Sequence, residues 1–193
     1  MESTKYFDNN SGYNFGISNQ REVLTVNVRT IIDRSVAILL QPQLYFTSDD
    51  DVMDFGDGAV YSALMGILGA LIGVAVGAQA HSGLPGLVSV VVIGPIITVL
   101  SVFIMAGIIY TLCRYLGGRG DYADSFHIAA SSTAMIPVAQ LLSPLPLLVI
   151  SMAWAWWIVS RGAIHIHKVQ PGKAESALAV LYGGLTLLAV IWN

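Results

Sequence analysis

Between Ala59 and Ala80 the chain runs for 22 residues without a charged side chain, and four more apolar stretches follow it before the C-terminus. At 1.5 Å per residue a helix over Ala59–Ala80 reaches about 33 Å, enough to cross a hydrocarbon core of about 30 Å. Five stretches of this kind in one chain restrict the fold to an all-α, polytopic membrane protein. Composition supports the restriction. Of 193 residues 55% are hydrophobic and 11% charged, and the mean hydropathy is +0.69. A soluble domain of this length has too much surface to be covered by so few charges.

The expected spans are residues 59–80, 87–113, 125–142, 147–165 and 174–192. His81–Gly86 and Ser143–Pro146 read as tight turns, and Arg114–Asp124, with Gly117, Gly118 and Gly120, as a polar loop. The third span is the least apolar, holding His127, Ser131, Ser132, Thr133 and Gln140, with Pro137 inside. Charge decides that it counts. Cytoplasmic loops carry excess Lys and Arg. With the N-terminus inside and five spans, all nine Lys and Arg residues fall on one face. Without the third span, Arg161, Lys168 and Lys173 would lie outside. The expected orientation is therefore a cytoplasmic N-terminus and a C-terminus on the far side.

The region before the first span is different. Residues 1–58 hold four basic and nine acidic side chains, and residues 59–193 hold five and three. Neither part has the basic stripe of a nucleic-acid binder. Residues 1–20 read as a flexible polar tail without the order of a signal peptide. In residues 21–40, Leu24, Val28, Ile31, Ile32, Val36 and Leu39 share one helical face, opposite Asn27, Asp33 and Arg34. This predicts an amphipathic helix on the membrane surface, too short in apolar run to span. Pro42 ends it. The acidic run through Asp57 reads as a solvated linker, completing a 21–58 interfacial segment ahead of the 59–193 transmembrane domain.

Few residues suggest chemistry. Gly66, Gly69, Gly73 and Gly77 form a small-residue ridge, which serves helix packing within a subunit or a homodimer. Ser131, Ser132, Thr133 and Gln140 need partners in lipid, so the third helix belongs inside the bundle, hydrogen-bonded to its neighbours. Pro95 and Pro137 are expected kinks. Trp156, Trp157, Arg161 and Trp192 are expected interfacial anchors. His127 reads as an interfacial side chain, and His165 and His167 as anchors near Lys168. On a helix those two point about 200° apart and lack a completing ligand set, so no metal or other cofactor is expected. Cys113 is the one cysteine, so no intrachain disulfide forms. Enzyme motifs are absent.

Three local patterns carry a family resemblance. They are Leu40-Gln41-Pro42-Gln43-Leu44-Tyr45-Phe46 after the amphipathic segment, the Gly-rich turn Tyr115-Leu116-Gly117-Gly118-Arg119-Gly120-Asp121-Tyr122 leading into a polar span with Pro137, and His165-Ile166-His167-Lys168-Val169-Gln170-Pro171-Gly172-Lys173-Ala174 before the last span. In this order the chain resembles the YIP (Ypt/Rab-interacting protein) domain family of five-span proteins. It lacks the Asp-Leu-Tyr-Gly-Pro motif of eukaryotic members, and its short turns resemble the bacterial branch. The resemblance implies a non-enzymatic membrane scaffold or adaptor in a bacterial inner membrane, with the bilayer and a membrane protein or second copy as partners. The alternative from a different class, suggested by the polar third span and the two prolines, is a small transporter or channel for a polar solute.

Overall fold

The computed structural model describes residues 28–48, 52–77, 83–143 and 148–192, with the side chains of 83–90, 148 and 189–192 outside that description. The expected tail at 1–20, the first residues of the amphipathic segment, Asp49–Asp51, His81 and Ser82 of the first expected turn and 144–146 of the second lie outside the described residues, while residues 83–86, expected to belong to the first turn, are helical. Every described element is helical: α1 Val28–Leu40, α2 Pro42–Tyr45, α3 Phe55–Ala75, α4 Gly83–Tyr115, α5 Tyr122–Ser132, α6 Met135–Leu142, α7 Leu148–His165 and α8 Pro171–Trp192. Two are long and apolar enough to cross a membrane, α3 and the Val91–Tyr115 part of α4. Their outer faces suit that medium, since Ile93, Ile96, Leu100 and Ile104 of α4 and Leu68 and Leu71 of α3 are exposed.

Local chemistry sets the helix ends. Asp54 caps α3, its carboxylate accepting the Asp57 N–H at 2.8 Å, so part of the acidic linker has a defined structural task. Asp121 and Asp124 form a capping box at the start of α5, with both reciprocal bonds at 2.9 Å. Helix α4 closes in a Schellman turn: the Gly118 N–H reaches the Cys113 carbonyl at 2.7 Å and the Gly117 N–H reaches that of Arg114 at 3.2 Å. Gly117 takes φ +87, a conformation that favours glycine. Gly77, with φ +78, ends α3 in a similar way.

The third apolar stretch is two helices, α5 and α6, broken at Thr133–Ala134. Pro137 explains the break. Its ring removes an N–H and crowds the carbonyl four residues back, that of Thr133. The Thr133 carbonyl instead accepts the Ile136 N–H at 2.9 Å, and the Thr133 and Ala134 N–H groups bond three residues back rather than four. The expected kink at Pro95 is not a break, because α4 runs continuously through it.

The α5–α6 pair lies at the centre. It packs against α3 on one side and α7 on another, and α5 also meets α4 and α1. All residues from Ser125 to Ser131 are buried. Helix α3 packs on α4 and α6 through its small-residue ridge. A Cβ on Gly66 would lie 2.7 Å from Thr98 Oγ1 and 3.3 Å from the Pro95 Cα, and one on Gly69 would lie 2.5 Å from Ile136 Cγ2. Gly73 is buried in the same helix. Gly77 does not belong to this ridge: it lies beyond the helix, exposed, with open space around it.

Gly69→Val should therefore force α3 away from α6 and cost about 1–3 kcal/mol by overpacking. Gly107→Ala, with nothing within 4 Å of the added carbon, should leave stability unchanged or improve it. Thermal unfolding of the two variants in the same detergent checks the contrast.

Candidate functional site

Functional polar groups concentrate at one end of the bundle, where α3, α5 and α8 begin and α4 and α7 end. Two loops are fastened together there. The Arg119 N–H donates to the His167 carbonyl at 2.9 Å. The His167 ring is fully buried, and its Nε2 lies 2.8 Å from Ser125 Oγ. Gly120 sits against that ring so closely that a Cβ would collide with it and lie 2.8 Å from Asp124 Oδ2. The His167 Nδ1 has no hydrogen-bond partner among the described residues. Burial holds the pKa of His167 below the ordinary histidine value, while the carboxylates of Asp124 and Asp121 pull it upward less strongly. The imidazole is accordingly neutral at neutral pH. Lys168, the next residue, turns the chain with φ 56.

A second histidine fastens the segment that precedes the bundle. His127 of α5 is 3% exposed. Its Nδ1 accepts the Met53 N–H at 3.1 Å, which places the ring proton of the neutral imidazole on Nε2. Tyr45 stacks on the ring at 5.6 Å between centroids, and Phe46 meets it edge-on at 5.7 Å. These two aromatics end the α1–α2 segment, so His127 is where that segment joins the core.

Helix α1 is held to the side of the bundle rather than to its end. Ser35 Oγ and the Tyr61 hydroxyl are 2.8 Å apart, and Ile38 is fully buried. The Trp154 indole N–H donates to the Leu39 carbonyl at 3.0 Å, satisfying one of the acceptors that a helix C-terminus leaves open. Tyr61 stands six residues into α3, about 9 Å from its start. Arg29 and Asp33 lie on the outer side as an exposed pair at 3.8 Å. Val28, Ile32, Val36 and Leu40 expose about half or more of their surface. A helix with this arrangement suits an interface between water and hydrocarbon.

The anchors and polar residues named from sequence take different places. Trp156 donates its indole N–H to the Glu175 carbonyl at 3.1 Å, and Arg161 Nη2 pairs with Glu175 Oε1 at 3.0 Å. Both therefore join α7 to α8 instead of reaching freely for headgroups. Trp157 meets Trp154 edge-on at 5.2 Å, and the side chain of Trp192 lies outside the described residues. The three hydroxyls expected to bond to neighbouring helices bond within their own stretch instead: Ser131 to the His127 carbonyl at 2.8 Å, Ser132 to that of Ala129 at 2.7 Å and Thr133 to that of Ala130 at 2.6 Å. Next to the Pro137 break the Thr133 N–H goes to the Ala130 carbonyl, and the Ser132 hydroxyl supplies a donor to the Ala129 carbonyl four residues before Thr133. Gln140 is half-buried beside Gly69. His127 and His167, read from sequence as interfacial, are core residues. Trp154, Tyr61 and Ser35 carry the α1 contacts and were not singled out by any spacing.

The helical bundle with apolar outer faces defines a membrane protein. The Yip1 domain family model matches residues 36–193, from the middle of α1 to the end of the chain. The chain belongs to the Yip1 domain family. No curated relative and no solved structure matches it.

The pH response of the clasp follows from its sign. His167 ionises less readily folded than unfolded, so its contribution is fully present above the unfolded value of about 6.5 and is lost as pH falls through and below it. The melting temperature of the purified protein should drop between pH 7 and pH 5. His167→Gln, which keeps a hydrogen-bonding group beside Ser125 but does not titrate, should flatten that slope, as read by thermal melts across the pH series.

Proposed function

We propose that the chain is a non-enzymatic membrane scaffold or adaptor that holds an amphipathic helix at the cytoplasmic leaflet for partner recruitment, most simply in a bacterial inner membrane. In this reading α3, α4, the α5–α6 pair, α7 and α8 are five spans. The N-terminus is cytoplasmic and the C-terminus emerges on the opposite side. Membership of the Yip1 family supports the membrane setting, and the sorting of all nine basic residues to one face supports the orientation.

The observation that carries the adaptor reading is the docking of α1 and α2. Ser35–Tyr61, Leu39–Trp154 and the Tyr45–Phe46 cover on His127 tie the segment before the first span to three different helices of the bundle. A tethered amphipathic helix is presented at fixed height and orientation, which a free tail is not. Binding to α1, by protein or lipid, is then felt at α5 through His127.

The transporter alternative drew its motivation from the polar third span. Its hydroxyls are spent on carbonyls of their own helix around the Pro137 break, a structural task that accounts for them without a solute.

Removing residues 1–40 tests the reading. A strain lacking the protein and supplied with residues 41–193 should insert the bundle normally and still show the null phenotype. Wild-type behaviour of that strain would contradict the adaptor role.

A further inference from the structure

A cleft of about 340 Å³ lies between α4, the α5–α6 break and α8. Helix α8 packs mainly on α7, which leaves its other side open toward α4. Val102, Met105 and Ile136 give the cleft an apolar wall, while Ser101, Ser132, Thr133 and Tyr182 bring hydroxyls to it. No charged side chain lines it. The hydroxyls come from three helices at a similar height. Counted at 1.5 Å per residue from the polar end, Ser132 is about 15 Å into α5, Tyr182 about 17 Å into α8 and Ser101 about 21 Å back along α4. Each therefore stands deep in an apolar run, where a polar group without a partner is costly.

Tyr182 departs from the pairing of the other tyrosines of the core. The Tyr61 hydroxyl meets Ser35 Oγ at 2.8 Å, and that of Tyr122 donates to the Phe103 carbonyl at 2.9 Å. Tyr182 is only 8% exposed, yet its hydroxyl has no hydrogen-bond partner among the described residues. Its proton is unspent. The other three protons are spent: Ser101 donates to the Ile97 carbonyl at 2.7 Å, Ser132 to that of Ala129 at 2.7 Å and Thr133 to that of Ala130 at 2.6 Å. Their oxygens keep lone pairs to offer. Thr98 borders the cleft too, but its Oγ1 sits against Gly66 of α3. On the α7 side of the Tyr182 ring lies a larger groove of about 440 Å³ in which Thr186 is the one other hydroxyl; the oxygens gather on the α4 side.

This set of donors and acceptors specifies a ligand. One unspent donor beside several unspent acceptors is matched by a group that accepts once and donates once, and the hydroxyl is the simplest such group. A charged ligand would find no counter-ion here. A hydrocarbon chain would leave the Tyr182 proton unpaired. Water would leave the apolar wall unsatisfied, whereas a hydroxyl with an apolar body meets both halves of the lining. Ile97, which borders the cleft, is 56% exposed on a helix long enough to cross a bilayer, so the way in is from lipid.

We propose that the cleft between α4, the α5–α6 break and α8 binds a neutral alcohol dissolved in the membrane. Its oxygen accepts from the Tyr182 hydroxyl, its proton goes to the Ser132 or Thr133 oxygen, and its apolar body lies on Val102, Met105 and Ile136. The site shares no residue with α1 and stands independently of the adaptor reading.

The test uses the full chain in non-ionic detergent and a photoactivatable probe, 1-octanol carrying a diazirine on its chain, with the labelled residues read by peptide mass spectrometry. Labelling should saturate and should fall on α4 between residues 97 and 105 and on α8 around Tyr182. Unlabelled 1-octanol should displace the probe. Octyl methyl ether, which accepts but cannot donate, should need about fivefold more at equal micellar mole fraction, the effect of losing one neutral hydrogen bond. Tyr182→Phe should need about fivefold more probe for half-maximal labelling, and without ligand it should melt no lower than the wild type, because it removes no bond. Labelling that does not saturate, that the ether displaces as well as the alcohol does, or that Tyr182→Phe leaves unchanged overturns the proposal. The ether comparison needs no variant, so it decides the matter even if Tyr182→Phe does not fold.

Discussion

A backbone surrounded by hydrocarbon has no water to bond with, so each peptide N–H and C=O needs a partner inside the protein. Much of this structure follows from that demand. It explains why the described elements are helices, and why their ends at the polar face carry specific closures: the Asp54 cap, the Asp121–Asp124 box and the Schellman turn at Gly117. It also explains the serines and threonines of the central stretch. Pro137 disturbs the ladder in the middle of the bundle, and the Ser132 hydroxyl donates to the Ala129 carbonyl where the Thr133 N–H has moved on to Ala130. Polarity at Ser132 is a repair of the backbone.

The second organising feature is the use of two buried histidines as joints. His127 joins the core to the segment that carries α1, and His167 joins the loop after α4 to the loop after α7. Both project from or onto α5, the most enclosed helix. The central helix thus touches the segment between α1 and α3 at one histidine and the turn into the last helix at the other. Neutral imidazole suits such joints, because it offers one donor and one acceptor in a fixed plane without the cost of a buried charge. Arg161 and Glu175 do a comparable task further out, where partial exposure makes an ion pair tolerable.

The all-helical membrane character was readable from hydropathy, because apolar length is a direct consequence of lipid thickness, and α3 and the Val91–Tyr115 part of α4 have that length. The family was readable from three patterns, each of which has a physical role in the fold: Pro42 begins α2 after the end of α1, Gly117 and Gly120 permit the α4 turn and the close seat of His167, and Lys168 and Pro171 place the start of α8. Side-chain partners were less readable. Helical spacing put Gly77 in line with Gly66, Gly69 and Gly73, but spacing does not say where a helix stops, and a positive φ ends α3 before it. Position near a span end suggested that His127, His167, Trp156 and Arg161 would face headgroups. Each instead meets a residue distant in sequence, between 14 and 74 positions away, and no local pattern encodes such a pairing. The break at Thr133–Ala134 is the reverse case: Pro137 and the hydroxyls just before it hold the whole explanation.

If, as proposed, α3, α4, the α5–α6 pair, α7 and α8 each cross the membrane, the number of crossings is odd and the two termini are on opposite sides. The direct measurement is a compartment-sensitive reporter fused after Asn193 in cells, read against the same reporter at the N-terminus. The account predicts a C-terminal signal confined to the exterior side and an N-terminal signal confined to the cytosol. Both signals arising in the cytosol would mean that the α5–α6 pair does not cross, and the proposed placement of α1 at the cytoplasmic leaflet would be wrong with it.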